Sequence, residues 1–77
     1  MYETVKVIRL SDIKDVKDFV RAAGDCDFDI DVKYNRAIID AKSLLGMIGL
    51  GLQNDLQVCY GGKNENFENV VDKFSLA

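Results

Sequence analysis

Histidine, tryptophan and proline are absent from this 77-residue chain, and cysteine occurs only twice. Without histidine, no serine-histidine or cysteine-histidine nucleophile pair can be assembled, which excludes hydrolysis and acyl transfer of that type. Cys26 and Cys59 lie far apart, form no C-x-x-C pair and have no histidine with which to share a metal, so zinc spacing is missing. Two reduced structural thiols are expected, with a disulfide between them as the alternative. No apolar run approaches the ~20 residues of a membrane span. Met1 to Leu10 lacks the basic start and apolar stretch of a signal peptide, and a cytoplasmic location follows as the expectation. Ten basic against thirteen acidic side chains give a net charge of -3. The basic stripe that would neutralise a nucleic-acid backbone is therefore missing, and nucleic acid is not expected as a direct partner.

Two partial motifs fail on inspection. Asp25, Asp27, Asp29 and Asp31 begin like a calcium loop, but Ile30 holds the position of the sharp-turn glycine and Arg36 that of the bidentate glutamate. Strand alternation accounts for Asp27, Asp29 and Asp31 as solvated residues, and no specific metal site is expected. The glycines complete neither G-x-x-x-x-G-K nor G-x-G-x-x-G, so no phosphate-cradling loop is present, and no cofactor is implied. They are expected to end elements or to admit close backbone approach.

What is present is a regular alternation of strands and helices. Thr4 to Leu10 is rich in β-branched residues and predicts a strand. Ser11 or Asp12 then caps a helix whose Ile13, Val16, Phe19, Val20 and Ala23 recur at helical spacing, with Gly24 as its stop. Phe28, Ile30, Val32 and Tyr34 alternate with polar residues, predicting a strand with one wet face, and Asn35-Arg36 suits a hairpin turn before a return strand over Ala37 to Ala41. Gly51 to Asn54 predicts a loop. Leu56, Val58 and Tyr60 mark a fourth strand closed by Gly61-Gly62, and Asn64 caps a last helix with Phe67, Val70, Val71 and Phe74 inward. The expected architecture is α+β, in the order β-α-β-β-α-β-α: a single domain over residues 1-77, with a four-stranded antiparallel sheet covered on one face by helices. At this length folding buries only about 60% of the unfolded surface, so the core is thin. Pattern alone leaves a ferredoxin-like arrangement open.

The most informative run is Ala41 to Leu52, A-K-S-L-L-G-M-I-G-L-G-L. Ser43 has N-cap chemistry, which predicts a short helix from Leu44. At about 100° per residue, Leu44, Leu45 and Ile48 share one arc and Met47 and Leu50 an adjoining one. That apolar arc is too wide for one core contact. If Met47 and Leu50 face inward, Leu44, Leu45 and Ile48 stay partly in water as a candidate binding surface, or are buried in a homodimer.

This run resembles the regulatory-serine region of HPr, the small phosphocarrier of the bacterial sugar phosphotransferase system. An ungapped comparison running back from Ser43 also superposes Phe19-Val20 and Ala23 of the first helix and the strand around Ile30 and Val32. The resemblance implies the open-faced β-sandwich of HPr rather than a ferredoxin-like fold. It also implies a departure at the carrier site, where the family has a histidine followed closely by an arginine and a proline. Asp12 occupies the histidine position here, Lys14 the arginine position and Asp15 the proline position. A carboxylate repels an incoming phosphate instead of presenting a neutral nucleophile, so Asp12 is expected to act as a helix cap.

The resemblance therefore points to a non-enzymatic protein, similar in kind to catabolite-repression HPr, which lacks the histidine and keeps the serine. Ser43 is the implied phosphorylation site. Leu44, Leu45, Ile48 and Lys42 are the implied protein-binding residues, and the implied partners are HPr kinase or a transcriptional regulator. A constitutive interaction module, with Ser43 only a cap, is the competing expectation, and a residual catalytic role for Asp12 is a third.

Overall fold

A computed structural model describes residues 4-76. The elements are β1 (Thr4–Ile8), α1 (Ile13–Gly24), β2 (Ile30–Tyr34), β3 (Ala37–Asp40), α2 (Leu44–Gly49), β4 (Leu56–Tyr60) and α3 (Glu65–Phe74). All strand pairs are antiparallel, in the spatial order β1-β4-β2-β3. The order β-α-β-β-α-β-α and the helix-covered sheet are those expected from the sequence.

Register assigns each strand residue to a face, because side chains alternate along a strand. Pairings of Val5 with Cys59, Cys59 with Asp31 and Asp31 with Asp40 set one row of the open face. Val7, Gln57, Lys33 and Ile38 form the next row. The opposite face carries Ile8, Ile30, Val32, Leu56, Val58 and Tyr60, all fully or almost fully buried with Val16 and Phe19 of α1 and Phe67 and Val71 of α3. Aromatic rings bind these layers together: Phe67 lies 5.8 Å from Phe19 and 5.1 Å, edge-on, from Tyr60. Such pairs add about 0.5–1.5 kcal/mol beyond their area burial.

Four boundaries differ from the sequence expectation. β1 ends at Ile8, not Leu10, because the Arg9 N–H turns to the Phe74 carbonyl and the Leu10 carbonyl accepts from Gln53 N–H. Gly24 is the last residue of α1 and not a left-handed stop; Asp25 caps the helix, its N–H shared between the carbonyls of Ala22 and Ala23. Phe28 precedes β2, half-buried against Tyr60 and over Gly62, where any Cβ would collide with the Phe28 ring. β3 ends at Asp40, although Ala41 N–H still reaches the Ile30 carbonyl at 2.9 Å. Asn35 has φ 53°, the left-handed conformation its hairpin turn requires. Gln53, at φ 60°, adopts it without the help of a glycine.

Lys6 sits on the helix-facing side of β1, at the sheet edge, where α3 supplies its partners. Its ammonium donates to Glu68 and Asp72, each at 3.1 Å, and these bonds raise its pKa well above the usual lysine range. Next to it the Tyr60 hydroxyl is buried without a hydrogen bond of acceptable geometry. Burial first, and then the Glu68 carboxylate, push the phenol upward as well. No helix among the described residues is long and apolar enough to cross a membrane.

Candidate functional site

Ser43 ends the turn between β3 and α2. The turn is built by Asp40: its carbonyl accepts from Ser43 N–H and its side chain from Lys42 N–H, both at 2.9 Å. This leaves Ser43 extended, at φ -94° and ψ 106°, with its Oγ accepting from Gly46 N–H at 3.1 Å. Gly46 is needed there for a second reason. A Cβ at Gly46 would lie 2.6 Å from Ile39 Cγ2 and 3.0 Å from Ser43 Oγ, so the glycine lets α2 settle on β3 while keeping the cap closed.

The six-residue helix then divides its apolar side chains. Met47 is buried at 1% exposure and Leu50 at 9%, whereas Leu44, Leu45 and Ile48 expose 37%, 83% and 38%. Leu45 projects furthest, two residues after an exposed hydroxyl. Leu52, just beyond the helix, and Ile13, the first residue of α1, are also exposed. Sequence reasoning missed both. Ile13 fits the inward spacing of α1 but lies in its first turn, and Leu52 follows the end of α2, so position within the element was the missing signal.

Lys42, an implied protein-binding residue, makes an intrachain contact. Its ammonium donates to the Cys26 carbonyl at 2.9 Å, tying the β3-α2 turn to the end of α1. Cys26 itself is buried, with Sγ 3.5 Å from the Ala22 carbonyl, and burial pushes its thiol upward. Cys26 and Cys59 are both free thiols.

At the start of α1, Asp12 is the N-cap and Ser11 is not. Asp12 Oδ1 accepts from Asp15 N–H at 2.9 Å, and the Asp15 carboxylate reaches back to Ser11 N–H at 3.1 Å. The Asp12 carboxylate thereby satisfies a first-turn N–H that the helix itself leaves open, while the Asp15 carboxylate holds the residue just before the cap. Lys14 points along the helix to Asp18, 3.4 Å away, with most of its side chain in solvent. Asp25, Asp27 and Asp29 are exposed, and no group of three potential metal ligands comes together among the described residues.

What this surface offers chemically is one exposed hydroxyl at a helix cap, an apolar cluster beside it and no imidazole. No protein-family model matches the sequence, and no curated protein matches it significantly. Among solved structures, the crystal structure of a phosphocarrier protein HPr from Bacillus anthracis str. Ames is similar in fold, with a TM-score of 0.73 and 19% identity. The similarity covers 92% of this chain and 95% of that one.

Proposed function

We propose that this chain is an HPr-like regulatory, protein-binding domain without phosphohistidine carrier activity, controlled by phosphorylation of Ser43. The observation that carries this reading is the adjacency of an exposed Ser43 hydroxyl to the exposed Leu44, Leu45 and Ile48 side chains. Phosphorylation would add about -1.5 to -2 charges at the cap, with oxygens still able to accept from Gly46 N–H, so little refolding is required. The result is a mixed surface, strongly anionic beside apolar, suited to a partner that offers apolar contacts and an arginine. By resemblance, HPr kinase is the modifying partner and a transcriptional regulator the reader. The absence of histidine from the sequence and the engagement of Asp12 as a cap support the loss of carrier chemistry.

The Ser43–Gly46 hydrogen bond favours a second reading, in which Ser43 is only a cap and the apolar cluster binds its partner constitutively. Treatment with HPr kinase and ATP, followed by intact-mass measurement with Ser43→Ala as control, separates the two. One added phosphoryl group, lost in the variant, is the expected result. An unchanged mass under conditions that modify a genuine HPr would remove the regulatory reading and leave the constitutive module.

A further inference from the structure

Lys42 adjoins Ser43 and is the only cation in the sequence between Arg36 and Lys63. Asp40 accepts from the N–H groups of both residues, so the backbone that carries them is fixed. Their side chains are held in different places. Ser43 Oγ stays at the exposed cap with Gly46 N–H, whereas the half-buried Lys42 side chain runs to the Cys26 carbonyl, 2.9 Å from its ammonium.

That carbonyl lies just beyond α1. There Asp25 N–H donates to the Ala22 carbonyl at 3.3 Å and Cys26 N–H to the Ala23 carbonyl at 3.1 Å. A cation is favourable at this end of a helix, where the last carbonyls carry the negative end of its dipole. Lys42 supplies one from a different element, in addition to Arg21 in the last turn of α1 itself. Its charge is felt at this end of the helix: burial pushes the Cys26 thiol upward, and Lys42 opposes that push.

We propose that a phosphate on Ser43 draws the Lys42 ammonium off the Cys26 carbonyl and so loosens the last turn of α1. The inference rests on the reading of Ser43 as a phosphorylation site. Consecutive Cα atoms are ~3.8 Å apart, within the span of a four-carbon lysine stem, so rotation of that stem brings the ammonium to the phosphate. Charge decides between the acceptors. The Cys26 carbonyl offers a dipole, whereas the phosphate offers about -1.5 to -2 charges and three oxygens. Asp25 and Asp27, on either side of Cys26, are exposed, and water can replace the ammonium at the vacated carbonyl. A modification at the cap of α2 is thereby transmitted to the far end of α1.

The test uses the full chain with phosphoserine encoded at position 43 during synthesis, so that no kinase is needed. Hydrogen exchange followed by amide NMR should show the Asp25 and Cys26 amides exchanging about two- to fivefold faster than in the unmodified chain, the range of a charge at a helix end. Lys42→Met should show the faster exchange without phosphate and no further change with it, and Lys42→Arg should behave as the parent. In a phosphorus NMR titration, the phosphate of the Lys42→Met protein should keep its second proton to a pH about 0.2–0.7 higher than with Lys42 present, the range of an exposed ion pair. Unchanged Asp25 and Cys26 exchange on phosphorylation, equal acceleration by phosphate in Lys42→Met, or identical phosphate titrations would each overturn the proposal. Failure of HPr kinase to modify the chain would instead remove the regulatory reading and leave this coupling standing on its own measurement.

Discussion

Gly46 and Gly49 lie one helical turn apart in α2, and alanine at the two positions should shift stability in opposite directions. In an exposed helix interior, glycine to alanine gains up to about 1 kcal/mol from propensity. At Gly49 nothing stands within 4 Å of the added Cβ, so the gain is realised and Gly49→Ala should stabilise by about 0.5–1 kcal/mol. At Gly46 the added carbon meets Ile39 Cγ2 at 2.6 Å, a branch methyl on a strand residue with little rotamer freedom. Overpacking of this kind costs about 1–3 kcal/mol, and displacement of Ser43 Oγ risks the cap, worth about 1 kcal/mol more. The net expectation for Gly46→Ala is a loss of about 1–3 kcal/mol. Urea unfolding of the two variants and the parent measures both signs directly. Because the obstacle is one methyl group, combining Gly46→Ala with Ile39→Leu, which lacks that branch, should recover part of the loss. A Gly46→Ala protein as stable as the parent, or a Gly49→Ala protein that is weaker, would refute the packing argument.

Stability should also fall in alkali. Lys6 and Tyr60 have folded-state pKa values raised above their ordinary 10.5 and 10.0, so the folded chain retains protons that the unfolded chain releases. Both contributions are intact below pH ~10 and fade above it; urea melts between neutrality and pH ~11 should show the decline, reduced in Lys6→Met. Tyr60→Phe removes a buried hydroxyl that lacks a partner and should be neutral or stabilising by up to about 1 kcal/mol; a clear loss in chemical denaturation would reveal a hydrogen bond to Glu68. Ser43→Ala should cost about 1 kcal/mol through the cap alone, checked by the same melts. Incubation with phosphorylated enzyme I should leave the chain unmodified, and a stable phosphoryl adduct on Asp12, located by peptide mass, would contradict that expectation.

Periodicity was enough to read the elements, since Val16, Phe19 and Ala23 or Phe67, Val71 and Phe74 can share a face only on helices. Element ends were less legible because they depend on partners distant in sequence. Nothing near Leu10 announces that its carbonyl will take Gln53 N–H, and nothing near Phe28 announces the space that Gly62 leaves for its ring. The division of the α2 apolar residues followed from the width of the arc. Lys42 was not legible in the same way: beside Ser43 in sequence, it bonds a carbonyl sixteen residues away. Its long side chain can reach several acceptors, and only the packing of α1 against α2 decides among them.

The sheet order has a kinetic consequence. β2 and β3 meet across the two-residue Asn35-Arg36 turn, a contact that closes within microseconds in an isolated hairpin, on the order of 1–10 μs. β1 has no such neighbour. Its partners are β4, α3 and the segment after it, and the Lys6–Asp72 bond joins residues 66 positions apart. That loop must be closed before the contact gives any return, and its entropy cost falls on the folding barrier. Substitutions in β1, such as Val7→Ala, should then change the unfolding rate more than the folding rate, whereas changes in the β2-β3 hairpin should register in folding. The strand that precedes the other three of the sheet in the chain would be among the last to dock.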